Sequence, residues 1–567
     1  MTAILTGYME HVAPPSSPQI ESQTARKLRG GYYTPEDIAA FLSRWAIRKG
    51  GDNILEPSCG DGAFIRSALD RLTGLGVTPQ MSGGRIIGVE LDPVESEKAK
   101  AHGCKIHTGD FFSIYKELRW GDSQFDVVLG NPPFIRYQHF EEGYRRVAFE
   151  LMEHAGFHPN RLTNIWVPFL LLSSKLLSQE GRLAMVIPAE LFQVNYAHEA
   201  REFLCEHFSS ITVISFKRLM FPGTQQEVVL LLAERSKEAA QQGIRVIELN
   251  DSEDLLSLRQ AEIEQEPIKK KLNGNSKWQR YYLGSYELGL LDALNHEAGI
   301  APSGSLFEAN VGVVSGENGF FVLTKESAQS KGLLSSCIPI ISRSFQVEGL
   351  ELTSEDFLAL SRSEKKVYLF APGDVPLDEL PLPIREYIAS GETDGIQNNY
   401  KCRIRKHWYS VPVSWTPDAF FLRQVGASPR IVINTHRTLV TDTLHKIRFL
   451  KGIDGRAVAA AFNNSYTYAL SETLGRSYGG GVLTFEPSEV RMLRIPMLGA
   501  DKLDFEKADQ LSRNGNTQAL LDYIDSAMLE EQYGLSKKDI QSLRGAWATL
   551  RDRRLARKVR GDQAGRH

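Results

Sequence analysis

The sequence predicts an α/β protein in which a Rossmann-like, seven-stranded sheet is followed by a second, mixed α+β domain. Three observations predict this fold class. Short apolar strands alternate with helical segments from about residue 54 to residue 131. The chain has 567 residues, which is too long for one hydrophobic core. After about residue 300 the alternation ends, and short strands joined by tight turns follow.

Composition excludes several other classes of protein. Hydrophobic residues make up 42% and charged residues 24% of the chain, which is ordinary for a soluble globular protein. We find no apolar run long enough to span a bilayer and expect no signal peptide. The five cysteines form no Cys-x-x-Cys pair, so we expect no metal site and no disulfide framework, as in a reducing cytoplasm.

The first helix is predicted just before the sheet. Thr34 is the expected N-cap and Pro35 the expected first helical residue. Apolar residues then recur at helical spacing: Ile38, Phe41, Leu42 and Trp45. A Thr-Pro start is common, and by itself it indicates only a capped helix.

A glycine-rich turn follows the first predicted strand, which ends at Glu56. Gly60 and Gly62 let a ligand approach the backbone closely, and the helix that follows offers free N–H groups. Acidic residues stand before the turn (Glu56) and inside it (Asp61). They suit a ligand with a cationic amino-acid end and a sugar better than a pyrophosphate. Alone, such a turn is weak evidence.

Three further strands end in polar residues: Glu90, Asp110 and Asn131. Glu90 follows the glycine turn by about thirty residues, close to where a ribose-binding acid belongs in a Rossmann-like sheet. Any one of these side chains could be a helix cap or a surface group. Four strand ends of this kind in succession, with Glu56 the first, are hard to explain as caps. We expect all four at one ligand-binding edge.

The loop Asn131-Pro-Pro-Phe134 carries the most specific chemistry. Its prolines fix φ and stiffen the chain as it leaves an apolar strand. The amide of Asn131 and the carbonyl of Pro132 can accept both hydrogens of a planar amino group, while Phe134 stacks on the ring that carries it. We therefore hypothesise that this loop holds an adenine flipped out of DNA.

These motifs, in this order, resemble the gamma-class DNA adenine N6-methyltransferases typified by the TaqI enzyme, whose catalytic domain comes first. The resemblance implies S-adenosylmethionine as methyl donor. It places Glu56, Asp61 and the glycine turn at the methionine part of the donor, Glu90 at the ribose, and Asp110 with Phe111 at the adenine. The full set of donor-binding residues that it implies is Tyr33, Thr34, Glu56, Ser58, Gly60, Asp61, Gly62, Phe64, Glu90, Asp110, Phe111 and Asn131.

The resemblance also implies a second aromatic side chain at the flipped base. We assign it to Phe221, with Phe216 as the alternative, although either residue could equally be a core phenylalanine. The predicted domains are a flexible arm (1–24), the methyltransferase domain (25–240), a linker (241–300), a DNA target-recognition domain (301–500) and a basic helical segment (501–567).

Basic residues concentrate in the second half, although the net charge of the chain is −3. Residues 396–451 hold ten Lys/Arg against two acids, with aromatic residues between them, which favours contact with phosphates and bases over a merely solvated face. A glycine loop follows Tyr478, and it suits either a DNA backbone contact or a flexible hairpin. The expected DNA-binding residues are Lys401, Arg403, Arg405, Trp408, Arg437, Arg476, Tyr478, Gly479 and Gly480.

The expected function is methylation of the N6 of a flipped adenine in a short target sequence of double-stranded DNA. It would protect host DNA from a cognate restriction endonuclease carried on another chain. We expect a monomer in a bacterial cytoplasm. The alternatives are a cytosine-N4 DNA methyltransferase, an RNA or protein-glutamine methyltransferase on the same fold, and a DNA-binding protein with a degenerate core. Asn rather than Ser at position 131 favours adenine over cytosine.

Overall fold

The computed structural model describes residues 34–120, 124–135, 141–217, 227–235, 243–266, 268–269, 277–478 and 481–556. The chain divides into two units, Met1–Ser276 and Lys277–His567. The expected N-terminal arm, residues 1–24, lies outside the described residues. Within the described ranges, no helix is both long enough and apolar enough to cross a bilayer.

The first unit is built on an eight-stranded sheet with the order β3-β2-β1-β4-β5-β7-β6-β8. Its strands are β1 (Ile54–Glu56), β2 (Ile86–Glu90), β3 (Lys105–Thr108), β4 (Phe125–Gly130), β5 (Leu177–Pro188), β6 (Ser210–Phe216), β7 (Val228–Glu234) and β8 (Gly243–Leu249). All neighbouring pairs are parallel except those of β7, which runs antiparallel to both β5 and β6. The predicted α/β class is confirmed, but the sheet has one strand more than the predicted seven.

Nine helices accompany this sheet in the described residues. They are α1 (Glu36–Ala46), α2 (Ala63–Gly74), α3 (Pro79–Gly83), α4 (Pro93–Lys100), α5 (Phe111–Trp120), α6 (Glu142–His154), α7 (Trp166–Lys175), α8 (His198–His207) and α9 (Gln260–Gln265). The central strands β1 and β4 are buried almost throughout, as expected of parallel strands covered on both faces. Their carboxyl ends are thereby fixed at one edge of a rigid layer.

The first helix begins one residue later than predicted. Pro35, not Thr34, is the N-cap of α1, and no side chain caps the helix. Proline fixes the extended φ of the cap position but has no hydroxyl to accept from the first turn. Glu36 and Asp37 instead complement the positive end of the helix. The Thr34 hydroxyl is therefore available for a contact outside the helix.

The eighth strand, β8, lies in the segment expected to be a linker, residues 241–300. Ile244 and Ile247 of β8 are buried, and the strand pairs in parallel with β6 over its whole length. The division between the units falls between Ser276 and Lys277. The polar residues that follow β8 in the sequence concealed this strand.

The second unit contains small, mostly antiparallel sheets. Their orders are β10-β18-β14-β16, β11-β13-β12-β17, β15-β20-β19 and β21-β9. The strands are β9 (Ile300–Pro302), β10 (Phe307–Val311), β11 (Val322–Leu323), β12 (Cys337–Ile341), β13 (Tyr368–Phe370), β14 (Ala419–Leu422), β15 (Gln424–Val425), β16 (Ile431–Ile433), β17 (Leu439–Val440), β18 (Leu444–Phe449), β19 (Arg476–Tyr478), β20 (Val482–Thr484) and β21 (Arg494–Pro496). This arrangement is the mixed α+β domain that the sequence predicts.

Helices of the second unit pack around these sheets. They are α10 (Ser285–Leu294), α11 (Asn318–Phe321), α12 (Lys325–Ser330), α13 (Ser354–Arg362), α14 (Leu382–Thr393), α15 (Tyr400–Arg403), α16 (Gly455–Ala461), α17 (Ser465–Leu474), α18 (Pro487–Met492), α19 (Phe505–Arg513), α20 (Thr517–Ile524) and α21 (Lys537–Leu555). The long α21 packs on α17, where the rings of Trp547 and Tyr468 lie 5.1 Å apart. The described part of the expected C-terminal segment therefore belongs to this unit's core.

Candidate active site

The acid that ends β2 organises the glycine turn. Glu90 Oε2 accepts a hydrogen bond from the backbone N–H of Gly60 at 2.7 Å, and Glu90 Oε1 accepts one from Asp92 N at 2.8 Å. Burial raises the pKa of the Glu90 carboxyl, and the two N–H donors partly oppose the rise. The predicted ribose-binding acid thus also holds the turn in place.

The turn itself needs glycine at two positions. Gly60 and Gly62 have φ values of +53° and +90°, in the left-handed region that side chains with a Cβ rarely adopt. A Cβ at Gly62 would also lie 2.9 Å from the imidazole of His102. The turn therefore packs closely against His102 at Gly62. The absence of side chains at both glycines lets a ligand approach the backbone closely.

Glu56, the last residue of β1, is the most unusual group at this edge. Its side chain is 2% exposed, and its Oε2 has no hydrogen-bond partner among the described residues. Burial raises the pKa of the Glu56 carboxyl well above its usual range, and the charges of Glu90 and Asp61 raise it further. A buried, unsatisfied carboxylate is costly, so this position is suited to a cationic ligand.

Asp110 stands between β3 and α5 and is also buried. Its Oδ2 accepts hydrogen bonds from both the backbone N–H and the hydroxyl of Ser113, each at 2.8 Å. Burial raises the pKa of the Asp110 carboxyl, and these bonds oppose the rise. The backbone N–H of Phe112 also donates to this carboxylate. Asp110 therefore caps the start of α5.

Three phenylalanines that were considered for this site are core residues in the structure. Phe111 is 2% exposed and stacks on Phe169, with ring centroids 5.3 Å apart and planes 17° apart. Phe64 and Phe216 are also buried. Their apolar spacing along the sequence is the same for a core position as for a ligand contact, so the sequence could not separate the two roles.

Asn131 follows β4 directly and is half-buried. Its amide Nδ2 donates to the Thr34 hydroxyl at 3.2 Å, a contact between residues 97 positions apart. The Ser58 hydroxyl donates to the backbone carbonyl of Asn131 at 3.4 Å. Farther along the loop, the carbonyl of Ile135 accepts from the N–H of Ile165 at 3.1 Å. The loop is therefore held at both ends, and its amide side chain has a fixed orientation.

The rest of the loop is rigid and apolar. Pro132 and Phe134 are buried, and Phe134 is 9% exposed. Together with Asn131 they place an amide, a backbone carbonyl and an aromatic ring within four consecutive residues. The structure thus brings the predicted loop to the same sheet edge as Glu56, because β1 and β4 are adjacent parallel strands.

Leu91 is a further candidate at this edge that the sequence did not single out. Leu91 stands between Glu90 and Asp92 and is 46% exposed, which is unusual for a leucine at the end of a buried strand. An apolar side chain next to a ribose-binding acid suits contact with the flat face of a base. The signal was the apolar residue immediately after the strand-terminal acid.

Both halves of the chain are similar to known methyltransferases. A family model described as N-6 DNA methylase matches residues 20–282, and one described as the C-terminal domain of the Type II methyltransferase M.Eco57I matches residues 275–529. The Type II methyltransferase M.AccI of Acinetobacter calcoaceticus is 22% identical over 505 residues, covering 86% of this chain and 88% of its own. The chain is an adenine-specific DNA methyltransferase.

Other relatives of this methyltransferase extend the likeness. The Type II methyltransferase M.XamI of Xanthomonas campestris pv. amaranthicola is 23% identical, covering 83% of this chain and 85% of its own. The Type IIL restriction–modification enzyme MmeI, solved with DNA, is similar in fold, with a TM-score of 0.58 and 11% identity over 91% of this chain and 75% of its own. The predicted adenine-specific, restriction–modification type of enzyme is confirmed. The match to the N-6 DNA methylase model implies use of S-adenosylmethionine.

In the second unit of the methyltransferase, three of the predicted DNA-binding cations are exposed: Lys401, Arg403 and Arg437. Arg437 has a positive φ of 58° in the turn between β16 and β17. Such a conformation is uncommon for a residue with a long side chain, and it is one that functional turns often contain. These three side chains face solvent, where a phosphate could reach them.

Arg405 is turned inward. Its Nη2 donates to the backbone carbonyls of Val314 and Ser315 at 2.8 Å each, and its Nη1 donates to the carbonyl of Trp408 at 3.3 Å. Burial lowers the pKa of the Arg405 guanidinium. The side chain joins two segments of the unit, in contrast to the DNA contact that the sequence predicts.

Two other predicted DNA-binding side chains also have partners inside the unit. Trp408 packs against Phe320, with ring centroids 5.5 Å apart, and its Nε1 donates to Glu392 at 3.1 Å. The Arg476 Nε donates to the buried carboxylate of Glu489 at 2.8 Å. In both cases the predicted side chain contacts a neighbour within the same unit.

The described residues do not include every predicted site residue. Tyr33, Phe221, Gly479 and Gly480 lie outside the described residues. Tyr478 closes β19 through its backbone, and its side chain is outside the described atoms. Within the described residues, no group of three or more His, Cys, Asp or Glu side chains is arranged to hold a metal ion.

Proposed function

We propose that this methyltransferase binds S-adenosylmethionine at the carboxyl ends of β1–β4 and methylates the N6 of an adenine that it flips out of double-stranded DNA. The observation that carries the proposal is the meeting of Glu56 and the Asn131–Phe134 loop at one sheet edge, on adjacent strands. The motif order, with the catalytic segment ahead of the second unit, supports the gamma class.

The donor site is assigned to the acidic residues at or just after the carboxyl ends of β1, β2 and β3. Glu56, buried and unsatisfied at Oε2 in the described structure, suits the cationic amino-acid end of the donor. Glu90 and Asp110 suit the ribose hydroxyls and the adenine edge, and Leu91 the adenine face. When bound, S-adenosylmethionine supplies an electrophilic methyl group on a positively charged sulfur.

The target base is held by the loop that follows β4. The exocyclic nitrogen of adenine is a poor nucleophile because its lone pair delocalises into the ring. The Asn131 amide oxygen and the Pro132 carbonyl accept its two hydrogens, draw the nitrogen toward a tetrahedral arrangement and localise that lone pair. Phe134 stacks on the base, which offsets part of the unpairing cost of a few kcal/mol. As the new N–C bond formed, the methyl–sulfur bond of the donor would break to leave a neutral thioether, and one amine hydrogen would leave as a proton.

The Thr34 hydroxyl gives the Asn131 amide its orientation. Because Nδ2 donates to Thr34, the amide oxygen points away from the Thr34 hydroxyl. Positioning of this kind supplies much of an enzyme's rate acceleration when no metal or activated nucleophile is required. We further propose that the enzyme acts as a monomer, and that it protects DNA from a restriction endonuclease on another chain.

The experiment that tests the proposal is mapping of modified bases. The full chain is expressed in a bacterium without adenine methylation, and its genomic DNA is sequenced by a method that detects modified bases directly. We expect N6-methyladenine at one short sequence, absent from cells with the empty vector. N4-methylcytosine, or unmodified DNA with methylated RNA or glutamine, would refute it. Titration calorimetry with S-adenosylmethionine should show one binding site.

A further inference from the structure

The turn around α15 differs from the rest of the basic stretch because it exposes apolar side chains together with cations. Tyr400 is 64% exposed and Ile404 is 60% exposed, whereas most large apolar side chains of this unit are buried. Lys401 and Arg403, between them in the sequence, are exposed as well. The Lys401 ammonium lies 5.5 Å from the centroid of the Tyr400 ring. One helical turn therefore presents two apolar and two cationic groups to solvent.

This turn is firmly attached to the unit beneath it. Cys402 is fully buried, and its sulfur would lie 2.8 Å from a Cβ at Gly316, so the two backbones are closely packed. The Arg405 guanidinium holds the carbonyls of Val314 and Ser315. The backbone N–H groups of residues 402 and 403 both donate to the carbonyl of residue 399 at 2.9 Å. The outward side chains are thus carried by a backbone with little freedom to retract them.

Rigid exposure of apolar groups has an energetic cost that a partner can recover. Single exposed apolar residues are common and carry no meaning alone. Here they share a turn with cations, and a partner that is both polyanionic and rich in stackable apolar surface satisfies the two at once. Duplex DNA has these properties, because its phosphates flank base steps into which proteins insert apolar side chains.

We infer that the Tyr400–Ile404 turn is a wedge that inserts at a base step of the duplex while Lys401 and Arg403 bind the flanking phosphates. The inference rests on the proposed function, since it concerns the DNA that the enzyme methylates. Insertion unstacks the step, and flexible pyrimidine–purine steps resist it least. The turn therefore contributes to sequence selection through the deformability of the DNA, at a step other than the target adenine.

The test uses the full chain and a duplex that carries the target sequence found by base mapping. 2-Aminopurine, whose fluorescence rises on unstacking, is placed at successive positions of the duplex. The wild-type enzyme should give signals at the target adenine and at one other step. The Tyr400→Ala/Ile404→Ala variant should lose only the second signal, and its affinity for the target should fall about tenfold relative to random DNA.

A matched control separates the wedge from general loss of apolar surface. Leu358→Ala removes an exposed leucine of this unit, on α13, a helix with Glu355 and Asp356 in its first turn. It should leave both signals and the affinity ratio unchanged. The wedge is overturned if the double variant keeps the wild-type fluorescence pattern and the wild-type affinity ratio, as a turn that docks on another protein would.

A methylation assay distinguishes failure of the proposed function from failure of the wedge. The same duplexes are assayed for methylation by the wild-type enzyme. An enzyme that gives no methylation and no signal at the target adenine contradicts base flipping, whatever the second step does. An enzyme that methylates and flips the adenine, but shows no second unstacked step, contradicts only the wedge.

Discussion

Polar groups of the first sheet and cations of the second unit are distributed by different rules. Glu56, Glu90, Asp110 and Asn131 come from four strand ends, and the parallel sheet gathers them at one edge. The ten cations of residues 396–451 are scattered between surface and interior. A residue at the end of a parallel strand has only one edge to face, whereas a residue in a short antiparallel strand or turn can face either side.

Two cations of the second unit illustrate how a basic residue can be removed from the surface. Arg430 and Lys446 are among the least exposed of the ten, and burial lowers the pKa of each. Lys446 donates to the Ser414 hydroxyl at 2.5 Å and lies 4.6 Å from the centroid of the Trp415 ring. A count of charges along the chain therefore overstates the positive surface, and the environment of each cation decides what it does.

The largest expected effect is at the strand-end cluster. Asn131→Ala should lower the rate of methyl transfer by at least about 10²–10³-fold, because it removes a preorganised acceptor of the reacting amine. Binding of S-adenosylmethionine and of DNA should persist. Single-turnover assays with radiolabelled donor measure the rate, and calorimetry and fluorescence anisotropy measure the two affinities. A variant that keeps most of the wild-type rate would show that Asn131 is not needed for methyl transfer.

A smaller effect is expected at the buried acid. Glu56→Gln should weaken donor binding about tenfold to a hundredfold, because a charge-assisted contact is lost. In the ligand-free enzyme the folded pKa of Glu56 is raised above its ordinary value of 4.5. Ionised Glu56 therefore destabilises the fold increasingly as pH rises from about 4.5 through the folded pKa. The variant should lack this loss of stability.

Thermal melts of the ligand-free protein across this pH range test the Glu56 prediction. Glu36→Gln is the matched control, because the Glu36 side chain is 90% exposed. It should leave donor affinity unchanged, and it should not remove the loss of stability that Glu56 causes as pH rises. Parallel pH profiles for wild type and Glu56→Gln would show that Glu56 is not the buried charge that the structure indicates.

Two arginines of the second unit, two positions apart, test whether burial decides the role of a cation. Arg405→Met should destabilise the protein by about 1–3 kcal/mol, because buried carbonyls lose their donor. Arg403→Met should change stability by no more than about 0.5 kcal/mol, but it should weaken DNA binding and lower the salt slope of affinity by about 1. Chemical denaturation and anisotropy at several salt concentrations give both quantities.

The result that would contradict the arginine prediction is an exchange or loss of these two phenotypes. If Arg405→Met keeps wild-type stability while its DNA affinity falls, the guanidinium contacts DNA and not the carbonyls. If Arg403→Met leaves the affinity and its salt dependence unchanged, the exposed cations form only a solvated face.

The smallest effect is expected at the residue that the sequence analysis missed. Leu91→Ala should weaken donor binding about fivefold, since it removes apolar area next to the assigned ribose site. Val94→Ala, at an exposed position in the first turn of α4, is the control and should leave the affinity unchanged. Calorimetry distinguishes the two variants. Equal affinities for Leu91→Ala and the wild type would remove Leu91 from the site.

Most of the first unit could be predicted because its motifs are local. The glycine turn, the strand-end acids and the Asn131 loop each lie within a few residues of a strand, and strand order then places them. What could not be predicted depends on distant contacts. The bond between Thr34 and Asn131 joins residues 97 positions apart, and β8 is a strand only because β6 offers an edge. No local pattern encodes either contact.

The class of fold and the order of the motifs could be read from the sequence, since both follow from short-range spacing and residue type. The tertiary structure alone decided which phenylalanines are core residues and which arginines face inward. It also left one turn, Tyr400–Arg403 with Ile404, exposed beside its cations. The physical reason is that burial and hydrogen-bond partners depend on which residues are neighbours in space. The sequence around an apolar or charged residue does not show whether that residue is buried or exposed.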